Sequence, residues 1–398
     1  MTQPASDNPF VRYRERLDSY AAARASGWSD ADFVALVERL DDQVRIVAGH
    51  GFVVTPCRAV PSLAEAVGLE VPLHVKDDTG NVGGSHKARH LFGVMLHHAV
   101  AANPSAGELA IASCGNAAVA AATVARAVDR PLRVFIPTWA DPAVVRTLEA
   151  LDAQIEVAER RSGESGDPTY LRFTEAVARG AVPFSVQGTS TPTTLDGGRT
   201  IGWELAEQVP DDGAARLLVQ VGGGALASAA WAGMAVRQHI VHLHAVQTEA
   251  CAPLARAWRL VTDDLGNRLG LTLPATESPR AKELIGRGSQ ARKLMSDQPD
   301  RYMWPWEPVT RSAATGILDD VTYDWETVVA PMVETGGWPL VVDERAIEEA
   351  NRLGRAHTGI DVDHTGTAGL AALLADDPAV RIPPDGRIVV LFTGKRRS

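Results

Sequence analysis

An alternation of apolar, strand-like segments with glycine-containing turns and helical segments constrains the fold of this 398-residue chain more than any other feature. Strands are predicted over residues 71–75, 109–112, 132–136, 155–157, 216–221, 241–246 and 387–392. Helices are predicted over residues 86–102, 116–128, 142–151, 225–237 and 367–375. Because parallel strands need a crossover connection, this order predicts an α/β fold of open, mostly parallel sheets with helices on both faces.

Two stretches lie outside this alternation. Residues 8–50 look helical, and a helix over 30–47 is predicted with Ser29 or Asp30 as its cap. Residues 261–312 have little regular pattern and are rich in Asp, Arg, Pro and Trp. They are predicted to form an inserted or peripheral region that covers a site or an interface.

Charge and cysteine content argue against several classes of protein. The net charge is −10 without a basic stripe, which argues against nucleic-acid binding, and the basic tail Lys395-Arg396-Arg397 is predicted to be a solvated terminus. Apolar runs end before the roughly 18 residues of a membrane span, so no membrane association is predicted. Three scattered cysteines give neither a disulfide framework nor zinc-site spacing, so a cytoplasmic protein without a metal site is expected: Cys57, Cys114 and Cys251.

A lysine follows small residues at the start of a predicted helix, in the segment Gly83-Gly84-Ser85-His86-Lys87-Ala88-Arg89. The N-terminus of a helix is electropositive and disfavours a second cation, so the pKa of the Lys87 amine is expected to fall toward neutrality. A neutral amine at this position suits Schiff-base chemistry. The alternative is that Lys87 is an ordinary solvated charge.

A run of glycines joins another predicted strand to a helix, in the segment Gly222-Gly223-Gly224-Ala225-Leu226. Glycines let the backbone approach an anion closely, and the helix N-terminus adds free amides and a favourable dipole. A phosphate group is the natural ligand, and the alternative is a tight turn that binds nothing. The spacing fits neither a dinucleotide fingerprint nor a Walker loop.

Two further turns follow predicted strands. In Ser113-Cys114-Gly115-Asn116, the amides and hydroxyl suit a substrate carboxylate, and the Asn116 amide suits a phenolic oxygen. The alternative is that Asn116 caps the helix; no base stands beside Cys114 in the sequence, which argues against a thiol nucleophile. Thr393 follows the last predicted strand, at the carboxyl end of the sheet, where open α/β folds place ligands. Its hydroxyl suits a hydrogen bond to a ring nitrogen. The alternative is that Thr393 only ends the strand.

The order of these motifs resembles the fold-type II pyridoxal-phosphate enzymes, the superfamily of the tryptophan synthase β subunit, threonine synthase, threonine and serine dehydratases and cysteine synthase. The resemblance covers residues 50–394 and begins with Thr55-Pro56, Lys76-Asp77-Asp78 and Gly80-Asn81. It implies two open, mostly parallel twisted sheets, a pyridoxal 5'-phosphate cofactor, a small amino-acid substrate and a homodimer. It further implies a helical segment 1–50, a large cofactor-binding domain of 51–88 with 190–398, and a small closing domain 89–189.

The resemblance also implies a role for each motif. Lys87 is similar to the lysine that forms the Schiff base with the cofactor and then moves protons. The phosphate would be held by Gly222, Gly223, Gly224, Ala225 and Leu226, and His86, which stands where the tryptophan synthase β subunit has His, would donate to it. Asn116 would contact the cofactor's 3'-oxygen and Thr393 its ring nitrogen; a neutral hydroxyl there favours elimination. The substrate would be held by Ser85, Ser113, Cys114, Gly115 and Asn116.

Within this superfamily, some motifs resemble threonine synthase and others resemble the dehydratases. Residues 196–204 and 390–394 resemble threonine synthase, whereas Lys87-Ala88-Arg89 and the glycine-rich loop resemble the dehydratases. Threonine synthases carry an Asn and an Arg for the substrate phosphate just before the position of Asp196, where this chain has Thr191, Pro192, Thr193 and Thr194. His86 and His90 replace the usual Phe and Gly, which suggests a specialised substrate.

The resemblance therefore implies a pyridoxal-phosphate-dependent carbon–oxygen or carbon–nitrogen lyase of amino-acid metabolism. It would abstract the α-proton of a small amino acid and carry out β- or β,γ-elimination, with or without replacement. One alternative is threonine synthase acting on O-phosphohomoserine. Another is a catalytically silent homologue that keeps the cofactor.

Overall fold

The computed structural model describes residues 6–101, 107–375, 382–383 and 385–397. Its helices are α1 (Pro9–Arg12), α2 (Asp18–Ala25), α3 (Asp30–Ala48), α4 (Pro61–Ala66), α5 (Lys87–Val100), α6 (Asn116–Ala127), α7 (Pro142–Ala150), α8 (Pro168–Ala178), α9 (Thr194–Gln208), α10 (Ala225–Met234), α11 (Pro253–Leu269), α12 (Glu277–Glu283), α13 (Gly288–Asp297), α14 (Glu326–Thr335), α15 (Glu344–Thr358) and α16 (His364–Ala371). Its strands are β1 (Cys57–Ala59), β2 (Leu73–Asp77), β3 (Leu109–Ala112), β4 (Leu132–Pro137), β5 (Gln154–Ala158), β6 (Val182–Pro183), β7 (Ala215–Gln220), β8 (Val241–Thr248), β9 (Leu340–Val342) and β10 (Arg387–Phe392).

The chain forms two compact units. The first unit consists of Met1–Thr55, Gly80–Ile201 and Arg397, and the second consists of Pro56–Thr79, Gly202–Arg396 and Ser398. The division into domains that the resemblance implies, with boundaries at 50, 88 and 189, stays a prediction.

Each unit is built on a twisted sheet. Among the described residues, the sheet of the first unit has four parallel strands in the order β5-β4-β3-β6. The sheet of the second unit has the order β1-β2-β10-β7-β8-β9, and only β1 runs antiparallel to its neighbour. Every residue of β7 is buried, as expected where helices cover both faces of a parallel sheet. The predicted α/β fold with two open, mostly parallel sheets is therefore confirmed.

Local signals in the sequence place several element ends correctly. Ser29 caps α3 through a reciprocal capping box with Asp32, and Asp141 accepts a hydrogen bond from the Ala143 amide at the start of α7. The strand predicted over 71–75 instead spans Leu73–Asp77, because Pro72 has no N–H to donate to a ladder. The predicted end of α5 at 102 lies outside the described residues, and the helix ends at Val100.

The interpretation of residues 261–312 as poor in regular structure is wrong. Helix α11 continues to Leu269, and α12 and α13 follow within the same stretch. Their apolar residues lie on one face and are buried, among them Val261, Leu265 and Leu294. The many charged residues between them hide this helical period in the sequence. Among the described residues, no helix is both long enough and apolar enough to span a membrane.

Candidate active site

Lys87 is the first residue of α5 in the first unit. It follows a short 3₁₀ turn, Val82–Gly84, in which Gly83 and Gly84 have φ values of 69° and 74°. These left-handed conformations favour glycine, so the two glycines let the chain turn sharply into α5. The predicted position of the lysine at a helix start is therefore observed.

The helix that carries Lys87 is anchored by a buried arginine two residues later. Arg89 donates a hydrogen bond from Nη1 to Thr200 Oγ1 (3.0 Å) and another from Nη2 to Thr55 Oγ1 (3.1 Å). Both partners belong to the first unit and come from different parts of the chain. The first turn of α5, including the backbone of Lys87, is thus fixed on two sides.

Helices α5 and α9 approach each other closely enough to exclude side chains. A Cβ atom built on Gly93 would lie 2.5 Å from the Cα atom of Gly197, and one built on Gly197 would overlap the carbonyl oxygen of Arg89. Such distances are below any normal contact, so glycine is required at both positions. The close packing of α9 against α5 thus also fixes the position of the helix that carries Lys87.

His90 lies one helical turn after Lys87 and is packed against Gly198 of α9. Its Nδ1 atom is 3.0 Å from the carbonyl oxygen of Thr194; because a carbonyl can only accept, Nδ1 carries the proton and Nε2 has the lone pair. Burial, with a smaller contribution from the charge of Lys87, lowers the pKa of His90 to about 3. His90 is therefore a neutral group, and its ring meets that of His86 edge to face at 5.8 Å.

Ser85 is completely buried before the start of α5. Its carbonyl oxygen accepts a long hydrogen bond from Asn81 Nδ2 (3.4 Å), whereas its Oγ atom has no hydrogen-bond partner among the described residues. A buried hydroxyl without a partner is costly unless a ligand or water satisfies it. The unsatisfied hydroxyl supports the prediction that Ser85 contacts substrate, which stays a prediction.

The turn Ser113–Asn116 joins β3 to α6 in the first unit. The N-cap residue of α6 is Gly115, which makes no side-chain cap, and Ser113 Oγ accepts from the Gly115 amide at 3.4 Å. The alternative interpretation of Asn116 as the cap is therefore wrong, because Asn116 is already helical. Its side-chain oxygen instead accepts hydrogen bonds from Arg397 Nε (3.2 Å) and Nη2 (2.7 Å). Cys114 is half-buried and forms no disulfide bond with Cys57 or Cys251.

The glycine-rich loop connects β7 to α10 in the second unit. Gly224 has a φ of 100°, and α10 begins without a side-chain cap. A Cβ atom on Gly222 would overlap the Asp319 carboxylate and lie 3.0 Å from Ile317 Cα, and one on Gly223 would lie 3.4 Å from Tyr323. The loop is thus closely covered by residues 317–324, and the Asp319 carboxylate is an anionic oxygen already lying against it.

Thr393 follows β10 and is buried at the carboxyl end of the strands, where the parallel strand β7 also ends. Its Oγ1 atom accepts a hydrogen bond from Gln220 Nε2 (2.7 Å). Because this bond uses a lone pair, the hydroxyl proton of Thr393 remains able to bond an acceptor such as a ring nitrogen. Gln220 was missed in the sequence, although an amide at the end of the apolar strand 217–219 was the signal that could have revealed it.

The predicted site residues fall into two groups. The first unit carries Ser85, His86, Lys87 and the turn Ser113–Asn116, and there α6 contacts both α5 and the turn before Lys87. The second unit carries Gly222 to Leu226 and Thr393, linked through Gln220. Among the described residues, no three His, Cys, Asp or Glu side chains cluster as a metal site. The assignment of these residues to a site stays a prediction.

Comparisons with known proteins were made for sequence and for structure. The family described as "Pyridoxal-phosphate dependent enzyme" matches residues 50–394. An L-serine dehydratase of Saccharomyces cerevisiae (strain AWRI1631) is 28% identical over 200 residues, which cover 46% of this chain and 58% of the relative. The matched stretch thus spans little more than half of that relative's length.

Solved structures, among them a threonine deaminase and an L-serine ammonia-lyase, resemble most of the chain. A threonine deaminase from T.th. is 22% identical, with a TM-score of 0.61 and coverage of 91% of this chain and 98% of that chain. A fungal L-serine ammonia-lyase from Rhizomucor miehei is 18% identical, with a TM-score of 0.61 and coverage of 86% and 94% respectively. At these identities the likeness shows a shared fold.

Proposed function

This chain belongs to the pyridoxal-phosphate dependent enzyme family, and we propose that it is a lyase that removes the α-proton of a small hydroxy amino acid and eliminates the β-hydroxyl group. The observation that carries the proposal of elimination is the Gln220–Thr393 hydrogen bond, which leaves the Thr393 hydroxyl as a neutral donor. The names of the relatives, L-serine dehydratase and L-serine ammonia-lyase, point to the same class of reaction.

Two observations support a fit to pyridoxal 5'-phosphate. A side chain at Gly222 would overlap its neighbours and Gly224 has a left-handed backbone, so the loop carries no side chains there, and the first amides of α10 lack a side-chain cap. We therefore assign Gly222 to Leu226, with His86, to the phosphate, Asn116 to the 3'-oxygen and Thr393 to the ring nitrogen. Lys87 Nζ would hold the cofactor covalently. When bound, the cofactor supplies an electron-withdrawing ring that stabilises negative charge at the α-carbon.

The chain's own residues bind the substrate and move its protons. Ser113–Asn116 present a hydroxyl and the amides of the α6 N-terminus, a site suited to the substrate carboxylate. Lys87 Nζ would take the α-proton of the bound substrate as general base. The resulting ammonium then donates a proton to the departing hydroxyl group, so that water leaves.

The arginines that would be needed for a phosphorylated substrate are engaged elsewhere. The Arg199 guanidinium bonds Asp196 and Asp18, that of Arg161 bonds Glu175 and lies 3.9 Å from the Glu164 carboxylate, and that of Arg160 donates to the carbonyl oxygen of Glu164. An anionic leaving group would then lack a bidentate partner among these three arginines. These contacts support an uncharged leaving group over O-phosphohomoserine, the substrate of the threonine synthase alternative.

The test is turnover of L-serine, L-threonine and O-phosphohomoserine by the full-length holoenzyme under matched conditions. We expect a keto acid and ammonia from L-serine or L-threonine, and no product from the Lys87→Ala variant. Selective release of phosphate with formation of threonine would instead establish threonine synthase. Absence of turnover with any of a wider panel of amino acids, despite a bound cofactor, would favour the catalytically silent homologue.

We further propose a cytoplasmic homodimer with a small closing domain over residues 89–189. The three cysteines form no disulfide bond with one another, which supports a reducing compartment. Light scattering after size-exclusion chromatography tests the dimer, since a mass close to the 42.4 kDa of one chain would contradict it.

A further inference from the structure

Arg397 contacts Asn116, a residue predicted to bind the cofactor. Arg397 belongs to the first unit, although the residue before it belongs to the second, and it directs Nε (3.2 Å) and Nη2 (2.7 Å) at the side-chain oxygen of Asn116. Arg397 is exposed, in agreement with the predicted solvated basic tail, but it also makes this paired contact with a predicted site residue.

The chemistry of the guanidinium group fixes the orientation of the Asn116 amide. Arginine can only donate hydrogen bonds, so the atom that faces it must be Oδ1 and not Nδ2. The NH₂ group is therefore turned away from Arg397 and is available to donate. A phenolic oxygen such as the cofactor's 3'-oxygen needs a donor of this kind.

The residues just before Arg397 have partners of their own. Within the second unit, the Asp363 amide donates to the Gly394 carbonyl (2.8 Å), and the Arg396 amide donates to the Asp361 carbonyl (3.1 Å). The Arg396 side chain pairs with the Asp361 carboxylate at 3.1 Å. The two adjacent arginines thus have different partners, which provides a matched control.

We propose that Arg397 is a positioning residue of the active site, which orients Asn116 so that its NH₂ group faces the cofactor. This inference rests on the proposed role of Asn116. Without Arg397 the amide can rotate by half a turn and present Oδ1, whose lone pairs would repel an oxygen of the cofactor.

The experiment compares the full-length holoenzyme with Arg397→Gln, Arg397→Lys, Arg396→Gln and Asn116→Ala variants, and with a chain that ends at Arg396. The readouts are the visible absorbance of the bound cofactor between pH 6 and 9, roughly the range in which side chains near a cofactor titrate, and the cofactor dissociation constant. We expect Asn116→Ala, Arg397→Gln and the shortened chain to shift the absorbance band or its pH midpoint in the same direction. The dissociation constant should rise about two- to tenfold, as for loss of one hydrogen bond. Arg397→Lys should restore part of the effect.

The outcomes separate this inference from the proposed function. If Asn116→Ala shifts the spectrum but Arg397→Gln and the shortened chain do not, the role of Arg397 is refuted and that of Asn116 stands. If Asn116→Ala also leaves the spectrum and affinity unchanged, the assignment of Asn116 in the proposed function is wrong. If Arg396→Gln matches Arg397→Gln, the effect is one of general charge and the positioning role is refuted.

Discussion

The substitution Asp196→Asn tests how the N-terminal helices are attached within the first unit. The buried Asp196 Oδ1 accepts from the Asp18 amide and from Arg199 Nη2, both at 2.9 Å. Its Oδ2 accepts from the Ser19 amide at 3.0 Å and from His97 Nε2 at 2.9 Å. Asp18 and Ser19 are the first residues of α2, so a carboxylate of α9 satisfies amides that the helix itself cannot.

The expected loss follows from these four bonds. An asparagine keeps one oxygen, but its NH₂ group would face two donors and cannot accept from them. Charge-assisted hydrogen bonds contribute roughly 1.5–3 kcal/mol each, and part of this loss is offset because a neutral amide is easier to bury. We therefore expect Asp196→Asn to lower the free energy of unfolding by about 3 kcal/mol at neutral pH.

The loss of stability in Asp196→Asn should depend on pH, because the Asp196 carboxylate can be protonated. Burial alone would raise the pKa of Asp196, but the bonds from His97 and the two amides, with the charge of Arg199, outweigh burial and lower it. Its contribution is thus fully present above the unfolded pKa of about 3.9 and is lost as the pH falls through the lower folded value. The difference between wild type and variant should shrink under acid conditions.

Urea unfolding, followed by circular dichroism at several pH values, measures both effects. Ser19→Ala is the matched control, because it keeps the backbone donor and removes only a buried hydroxyl without a hydrogen-bond partner among the described residues. The reasoning is refuted if Asp196→Asn is as stable as wild type at neutral pH, or if Ser19→Ala loses as much.

Three further predictions concern the site. Gly197→Ala should lower the melting temperature by several degrees and the free energy of unfolding by about 1 kcal/mol or more, because its Cβ would overlap the Arg89 carbonyl. Gly213→Ala, which has open space around it, should leave the melting temperature unchanged. Equal melting curves for the two variants would contradict this. Thr393→Val should reduce kcat at least about tenfold while Thr393→Ser keeps most of it, and equal rates would exclude a role for the hydroxyl. His90 is neutral in the folded protein, with a pKa of about 3, whereas the pKa of an unfolded histidine is near 6.5. Its contribution to the free energy of unfolding is therefore fully present above about pH 6.5 and is lost as the pH falls toward 3. In His90→Gln, the free energy of unfolding should decline less steeply over this pH range.

Local turn chemistry explains why the turns that carry the proposed site residues could be predicted from the sequence. Glycines at 83, 84 and 224 have the left-handed backbone that their residue type suggests, and Lys87 stands at the helix start that follows. Each of these signals depends on residues a few positions apart, and such short-range preferences survive folding unchanged.

The supporting contacts could not be predicted, because they join distant parts of the chain. Gln220 meets Thr393, Arg89 meets Thr200, and Arg397 meets Asn116. Nothing in the local sequence pattern identifies such partners, since hydrogen bonding between remote side chains depends on the complete fold. The helices within 261–312 were missed for a different reason, because exposed charges on their outer faces mask the buried apolar period.

The position of β10 has a consequence for the biosynthesis of the protein. This strand is the last of its sheet to be translated, yet it lies between β2 and β7 and pairs with both. A nascent chain that lacks residues 387–392 leaves the two partner strands with unpaired backbone edges, which favour aggregation. The second unit therefore matures only after residue 392 has been translated, and a premature stop codon shortly before residue 387 should yield insoluble protein.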